Sequence, residues 1–205
     1  MKIGILISGR GSNMLAIIEA VLSGQIPKSD VSVVVSDKTS AKGLIKAKER
    51  GIETLVITRS GRSREEHDAE IIAELRKRKV ELVCLAGYMR LLSPEFVRRF
   101  PNRILNIHPS LLPSFKGLDA QKQAVEYGVK VSGCTVHFVD ESLDNGAVVA
   151  QKTVEVKDDD TPETLSARIL EREHELYVES IRQIVEGNIE IQGRRVFRKV
   201  FTTET

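Results

Sequence analysis

Asn106 and His108 stand two residues apart in the run Leu105-Asn106-Ile107-His108-Pro109-Ser110. In extended chain that spacing points both side chains to one side. A carboxamide N–H beside an imidazole is equipment for stabilising a tetrahedral oxyanion and for moving a proton. Pro109 and Pro113 restrict the loop that follows, which keeps such a pair in place. The competing explanation makes His108 a strand-end residue bonded to backbone, and spacing does not choose between the two. Further along, Asp140-Glu141-Ser142-Leu143-Asp144-Asn145-Gly146 is acidic and turn-forming. Asp144 is placed to pair with a protonated His108 if the chain brings them together, although Asp-Asn-Gly is also a routine turn.

A second group lies near the start, where Ser8-Gly9-Arg10-Gly11-Ser12-Asn13 joins an apolar strand to a helix. Glycines let backbone approach a ligand, and the unpaired amides of a helix start attract an anion. Gly11, Ser12 and Asn13 are therefore expected to hold a phosphate. The third glycine of a dinucleotide fingerprint is missing, since Met14 stands nearby instead, and no Walker lysine follows. The alternative is that Ser12 or Asn13 merely caps the helix. Glu173 falls on the apolar stripe Leu165, Ile169, Leu176, Ser180, Ile184, where a carboxylate either sits at the stripe's edge or meets a ligand. His137 reads as a satisfied sheet histidine, and His67 and His174 as ordinary helix residues. Ser110 has no base placed to make it a nucleophile.

The elements that must position these groups follow from periodicity. Lys2–Ser8, Val31–Ser36, Thr54–Ile57 and Val80–Ala86 read as strands, alternating with helices at Asn13–Leu22, Ala41–Glu49 and Arg64–Lys77. That alternation predicts an α/β fold: a Rossmann-like, mostly parallel twisted sheet of about seven strands with helices on both faces. Ligands of such sheets bind beyond the carboxyl ends of the strands, where the residues above fall. The second half adds a short helix at Pro94–Arg99, a strand at Ile104–Ile107, a helix at Ala120–Tyr127, and strands at Ser132–Val139 and Val148–Val156. Thr161-Pro162-Glu163 starts a helix running to about Glu186. The tail is expected to add a hairpin, Glu190–Gln192 against Val196–Arg198, with frayed last residues. With no repeat or linker, 1–205 reads as a single domain.

Composition removes several classes. A net charge of +2 leaves no bulk footprint for nucleic acid. No apolar run approaches membrane-span length and no signal-peptide pattern is present, so the expected location is cytoplasmic. Cys84 and Cys134 sit in apolar runs as small hydrophobes, and no Cys/His spacing calls for zinc, so no metal is expected.

Taken together these stretches resemble the folate-dependent phosphoribosylglycinamide formyltransferases of purine synthesis. The resemblance runs from Lys2 to about Gly187 and rests on the opening Ser8–Asn13 motif, Leu85-Ala86-Gly87-Tyr88-Met89-Arg90, Asn106-Ile107-His108-Pro109-Ser110-Leu111-Leu112-Pro113-Ser114-Phe115-Lys116-Gly117, and Gly133-Cys134-Thr135-Val136-His137-Phe138-Val139. It implies transfer of the formyl group of 10-formyltetrahydrofolate, a co-substrate, to the amine of glycinamide ribonucleotide (GAR). It implies that residues 1–100 form the nucleotide-binding half, that 101–187 carry catalysis and the folate, and that 188–205 are an extension. Asn106, His108 and Asp144 would be catalytic. Gly11, Ser12, Asn13 and the run Leu170, Glu171, Arg172, Glu173 would hold GAR. Arg64, the segment Met89, Arg90, Leu91, Leu92, and the loop Asp140, Glu141, Ser142, Leu143, Asp144 would line the folate, together with Asn106. The partners implied are these small molecules, for a monomer or homodimer. No role is expected for the basic tail Arg194–Lys199.

Rivals remain. Methionyl-tRNA formyltransferases share the core but add a C-terminal domain for which this chain has no room. Formyltetrahydrofolate deformylases carry an N-terminal regulatory domain and tend to place a second histidine where this chain has Pro109. A non-catalytic nucleotide-binding module would leave Asn106, His108 and Asp144 without a task.

Overall fold

A computed structural model describes residues 1–199. The chain forms one nine-stranded sheet in the order β3-β2-β1-β4-β5-β6-β7-β9-β8. In chain order the elements are β1 (Lys2–Ile7), α1 (Ser12–Leu22), β2 (Asp30–Ser36), α2 (Lys42–Lys48), β3 (Thr54–Val56), α3 (Arg64–Lys77), β4 (Leu82–Leu85), α4 (Pro94–Arg99), β5 (Ile104–His108), α5 (Ala120–Tyr127), β6 (Val131–Phe138), β7 (Val148–Glu155), α6 (Pro162–Val185), β8 (Ile189–Gln192) and β9 (Arg195–Arg198). The first five strands are parallel, and β6 and β7 continue the sheet antiparallel. The tail hairpin forms as expected, β8 against β9, and β9 joins the sheet edge through Val148 and Arg195. The expected fraying of the last residues concerns a stretch outside the described ones.

Period-two alternation assigns each central strand to two cores. Ile3, Ile5 and Ile7 of β1, with Leu82 and Cys84 of β4 and Leu105 and Ile107 of β5, pack against α1 and α6. Leu6, Val83, Leu85 and Ile104 pack on the opposite face with Ile71, Leu75 and Phe96 of α3 and α4. Burial on both faces explains why these strands read as unbroken apolar runs rather than alternating ones. Helix starts follow their local chemistry. Ser63 caps α3 in a reciprocal box with Glu66, and Thr161 caps α6 ahead of Pro162.

The order reverses between β1 and β4, which open to opposite neighbours. The loops beyond their carboxyl ends are joined there: Ser8 N–H donates to Gly87 O at 3.0 Å, and Met89 N–H donates to Ser8 Oγ at 2.9 Å. Because β1, β4 and β5 are parallel, Gly11, Arg90 and His108 all emerge at the same end of the sheet.

Candidate active site

Asn106 and His108 occupy the last turns of β5, and antiparallel pairing with β6 sets His137 opposite Asn106 and Thr135 opposite His108. Asp144 arrives from the loop between β6 and β7. Its Oδ2 lies 3.5 Å from His108 Nδ1 and its Oδ1 lies 3.7 Å from His137 Nε2. Asp144, far from β5 in sequence, therefore meets His108, and His137 links it to Asn106. His137 Nδ1 donates to Phe138 O at 2.9 Å, which leaves Nε2 as the acceptor for Asn106 Nδ2 at 3.2 Å. Burial depresses the His137 pKa below its usual 6.5, so the ring is neutral and fixes which way the Asn106 amide points. His137 is thus a satisfied sheet histidine, as expected, and also the residue that orients Asn106. Only the β5–β6 register reveals this.

His108 Nε2 lies 2.8 Å from Phe115 O, and since a carbonyl only accepts, that nitrogen carries a proton. Gly117 N–H donates to Asp144 Oδ2 at 2.9 Å, and Lys116 Nζ reaches Asn145 Oδ1 at 3.2 Å. One segment, Phe115–Gly117, thereby holds both members of the imidazole–carboxylate pair. The Ser110 hydroxyl donates to Ser114 O, which commits it to the loop rather than to nucleophilic work.

The loop after β5 is tied to the sheet through Thr135. Its hydroxyl donates to Ser110 O at 2.7 Å and accepts from Leu112 N at 3.0 Å and Gln151 Nε2 at 3.0 Å. Thr135 is fully buried, and valine at this position keeps the volume while stranding the Ser110 carbonyl and the Leu112 N–H; Gln151 Nε2 keeps its bond to Leu112 O at 2.9 Å. Thr135→Val is expected to cost about 2–4 kcal/mol in urea unfolding, since each stranded group costs roughly 1–3 kcal/mol. A loss within experimental error would remove the hub assignment.

At the other motif Gly11 takes φ 71° as N-cap of α1 and offers no side-chain cap to the helix amides. A Cβ at Gly11 would lie 2.9 Å from the Gly43 Cα, so both conformation and space demand glycine. The start of α1 keeps its first amides unbonded to any side chain, as an anion site requires. Ser12 is half-buried and does not cap the helix; the capping alternative does not hold. Asn13 does not cap it either. Its Nδ2 instead donates to Glu173 Oε2 at 2.7 Å, and both residues are buried. The edge explanation for Glu173 is overturned, because the residue is 7% exposed and its carboxylate bonds Asn13 in the first turn of α1. Its neighbours divide: Leu170 lines a groove with Arg10, whereas Glu171 and Arg172 are exposed and Arg172 is spent on Glu175.

Burial raises the Glu173 pKa above its ordinary 4.5, with the Asn13 amide opposing the rise. Such a group stabilises the fold fully below pH 4.5, its unfolded value, and that contribution is lost as pH rises through the folded value. Glu173→Gln keeps an acceptor for Asn13 and removes the buried charge. It is expected to raise Tm at alkaline pH by about 2–4 °C for roughly 1 kcal/mol, with the gain vanishing toward pH 4. A gain that is flat with pH, followed by scanning calorimetry, would contradict the assignment.

A cleft of about 140 Å³ opens beside Asn106, His137 and Asp144, walled by Arg64, Arg90, Leu91, Leu92 and the loop Asp140–Asp144. Arg64, Arg90 and Leu91 also line an outer pocket of about 470 Å³. Met89 is the exception among the expected wall residues; its side chain is 61% exposed and only its backbone is tied in, to Ser8. Leu91 and Leu143, both of which line the cleft, stand 56% and 50% exposed. Among the described residues no group of three or more His, Cys, Asp or Glu side chains is placed to hold a metal ion. No helix among them is long and apolar enough to cross a membrane.

This fold and site define a class. The profile of the formyl transferase family matches residues 1–181, and the chain belongs to that family. It is similar to a phosphoribosylglycinamide formyltransferase of Haemophilus influenzae, 42% identical over 96% of this chain and 92% of that one. It also superimposes on the crystal structure of glycinamide ribonucleotide transformylase 1 from Symbiobacterium toebii with a TM-score of 0.95 and 49% identity, covering 97% of this chain and 93% of that one. The trifunctional purine biosynthetic protein adenosine-3 of Drosophila melanogaster is 46% identical over 91% of this chain, which spans only 14% of that longer protein.

Proposed function

We propose that this protein transfers the formyl group of 10-formyltetrahydrofolate to the amine of glycinamide ribonucleotide, releasing tetrahydrofolate and formyl-GAR in purine synthesis, as a cytoplasmic enzyme. The observation that carries this is that Asn106 and Asp144 line one cleft, with His108 Nδ1 3.5 Å from Asp144 Oδ2, at the sheet end that also bears the Gly11 turn.

The ribonucleotide phosphate sits on the first amides of α1 at Gly11, Ser12 and Asn13, and Glu173 with its Asn13 partner receives the glycinamide end. Residues 1–100 supply most of that binding, and 101–187 supply the catalytic groups and most of the folate wall. The neutral amine attacks the formyl carbon and its electron pair forms the new C–N bond, while the carbonyl pair moves to oxygen. The Asn106 N–H not used by His137 and a His108 N–H stabilise that oxyanion. His108 reaches it by exchanging the Phe115 carbonyl for the developing negative oxygen, a stronger acceptor. Asp144 balances the imidazolium and relays the proton that the attacking amine loses. Collapse of the intermediate expels the folate nitrogen, which takes up a proton. No covalent enzyme intermediate is needed.

The test is an absorbance assay for folate product with purified protein, run with and without GAR. Product that depends on GAR is the expected result. Product formed equally without it would make the protein a deformylase, and none in either condition would leave a nucleotide-binding module.

A further inference from the structure

Arg90 and Leu91 line both the cleft and the outer pocket, and two buried carboxylates pin the segment that carries them. Asp37, just past β2, is 5% exposed, and its Oδ2 accepts from Arg90 Nε at 2.7 Å. Asp68, in α3, is 2% exposed, and its Oδ2 accepts from Ser93 N at 2.6 Å. Between them the Tyr88 phenol is buried without a partner, as is Asp37 Oδ1. Burying a carboxylate forfeits its hydration, and Asp37 recovers this only through Arg90, since no other side chain or amide among the described residues bonds to it. A buried acid maintained for one half-exposed arginine needs a reason beyond packing.

The geometry of Arg90 supplies it. Asp37 occupies Nε, and Nη1 and Nη2 have no protein partner among the described residues. The guanidinium is therefore clamped by one edge with Nη1 and Nη2 uncommitted, in a residue that lines both cavities. A planar fork held this way suits a carboxylate. We infer that Asp37 is a positioning residue that aims Arg90 at the carboxylate tail of the folate, so that selection for a carboxylated folate depends on a side chain that never touches it. This rests on the reading of the cleft as the folate site.

The experiment measures Kd by titration calorimetry for tetrahydrofolate and for tetrahydropteroate, which lacks the glutamate. The wild type, Asp37→Asn, Arg90→Ala, Arg90→Lys and the Asp37→Asn/Arg90→Ala pair are compared after thermal unfolding confirms each is folded. Asp37→Asn is expected to weaken tetrahydrofolate about tenfold, roughly 1.4 kcal/mol, and to leave tetrahydropteroate within about twofold. The loss should be absent in the Arg90→Ala background. Arg90→Lys, which keeps the charge but cannot be clamped and forked together, should lose affinity as Arg90→Ala does. In turnover, KM for the formyl donor rises while kcat holds. Unchanged tetrahydrofolate affinity in Asp37→Asn overturns the positioning role, as does equal weakening of tetrahydropteroate, persistence of the loss without Arg90, or full affinity in Arg90→Lys. A wild type that binds neither folate overturns the cleft assignment itself, and this inference with it.

Discussion

His108→Ala is expected to lower kcat by about a thousandfold or more while the protein stays folded. Removing one oxyanion donor alone costs roughly 10²–10³ in kcat, and His108 also serves the proton relay. The loss should appear in kcat rather than in KM for GAR, because the turn at Gly11 proposed to hold the phosphate lies on a different element. Asp144→Asn tests the same pair from the other side, keeping volume and the Gly117 N–H acceptor while removing the charge 3.5 Å from His108 Nδ1. Since the two residues act together, the double variant should be scarcely worse than His108→Ala alone. Additive losses, or near-wild-type turnover of either single variant, would dissolve the proposed partnership.

The second large effect comes from a residue with no functional group. A Cβ at Gly146 would fall 1.8 Å from Phe138 O and 2.8 Å from the Phe138 carbonyl carbon, contacts that backbone cannot absorb without moving. Gly146 ends the loop that carries Asp144, which itself holds the unfavourable φ of 45°. Gly146→Ala must therefore shift that loop off β6 and draw Asp144 from His108. A displacement of about 1 Å at a reacting group can cost roughly a hundredfold in rate. Gly146→Ala is expected to reduce kcat by that order and to lower Tm, whereas the affinity for GAR stays within about threefold. Full activity in a protein of unchanged Tm would show that the loop tolerates the displacement.

Much of the fold was legible because its signals are local. Doubly buried strands announce themselves as apolar runs, and the caps at Ser63 and Thr161 start their helices where the sequence places them. Boundaries drifted slightly. The fourth strand reads as Val80–Ala86 in sequence but pairs only over Leu82–Leu85, because pairing length is set by the neighbouring strands rather than by the run's own composition. For Glu173 the stripe position identified an anomaly, and only the fold decided that the carboxylate turns inward onto Asn13.

Some of the site left no mark in the sequence. Asp37 and Arg90 are 53 residues apart, and Asp68 and Ser93 are 25 apart. A lone aspartate after a strand or within a helix looks solvated until the loop that covers it is in place. His137 is the same case, since its contact with Asn106 exists only when β6 runs antiparallel in the observed register. The basic tail gained a structural contact in the same way, through Arg194 Nη2 on Asn145 O at 2.7 Å.

The sequence by itself determined the α/β alternation, the glycine turn into α1 at Gly11–Asn13 and the Asn106–His108 spacing, since each depends on residues within a few positions of one another. Tertiary structure alone decided that Asp144 and His137 join that pair, that Glu173 is buried, and that Asp37 grips Arg90. The reason is that a pairwise contact across tens of residues is fixed by strand order and register, which arise from burial of the whole sheet rather than from any local run.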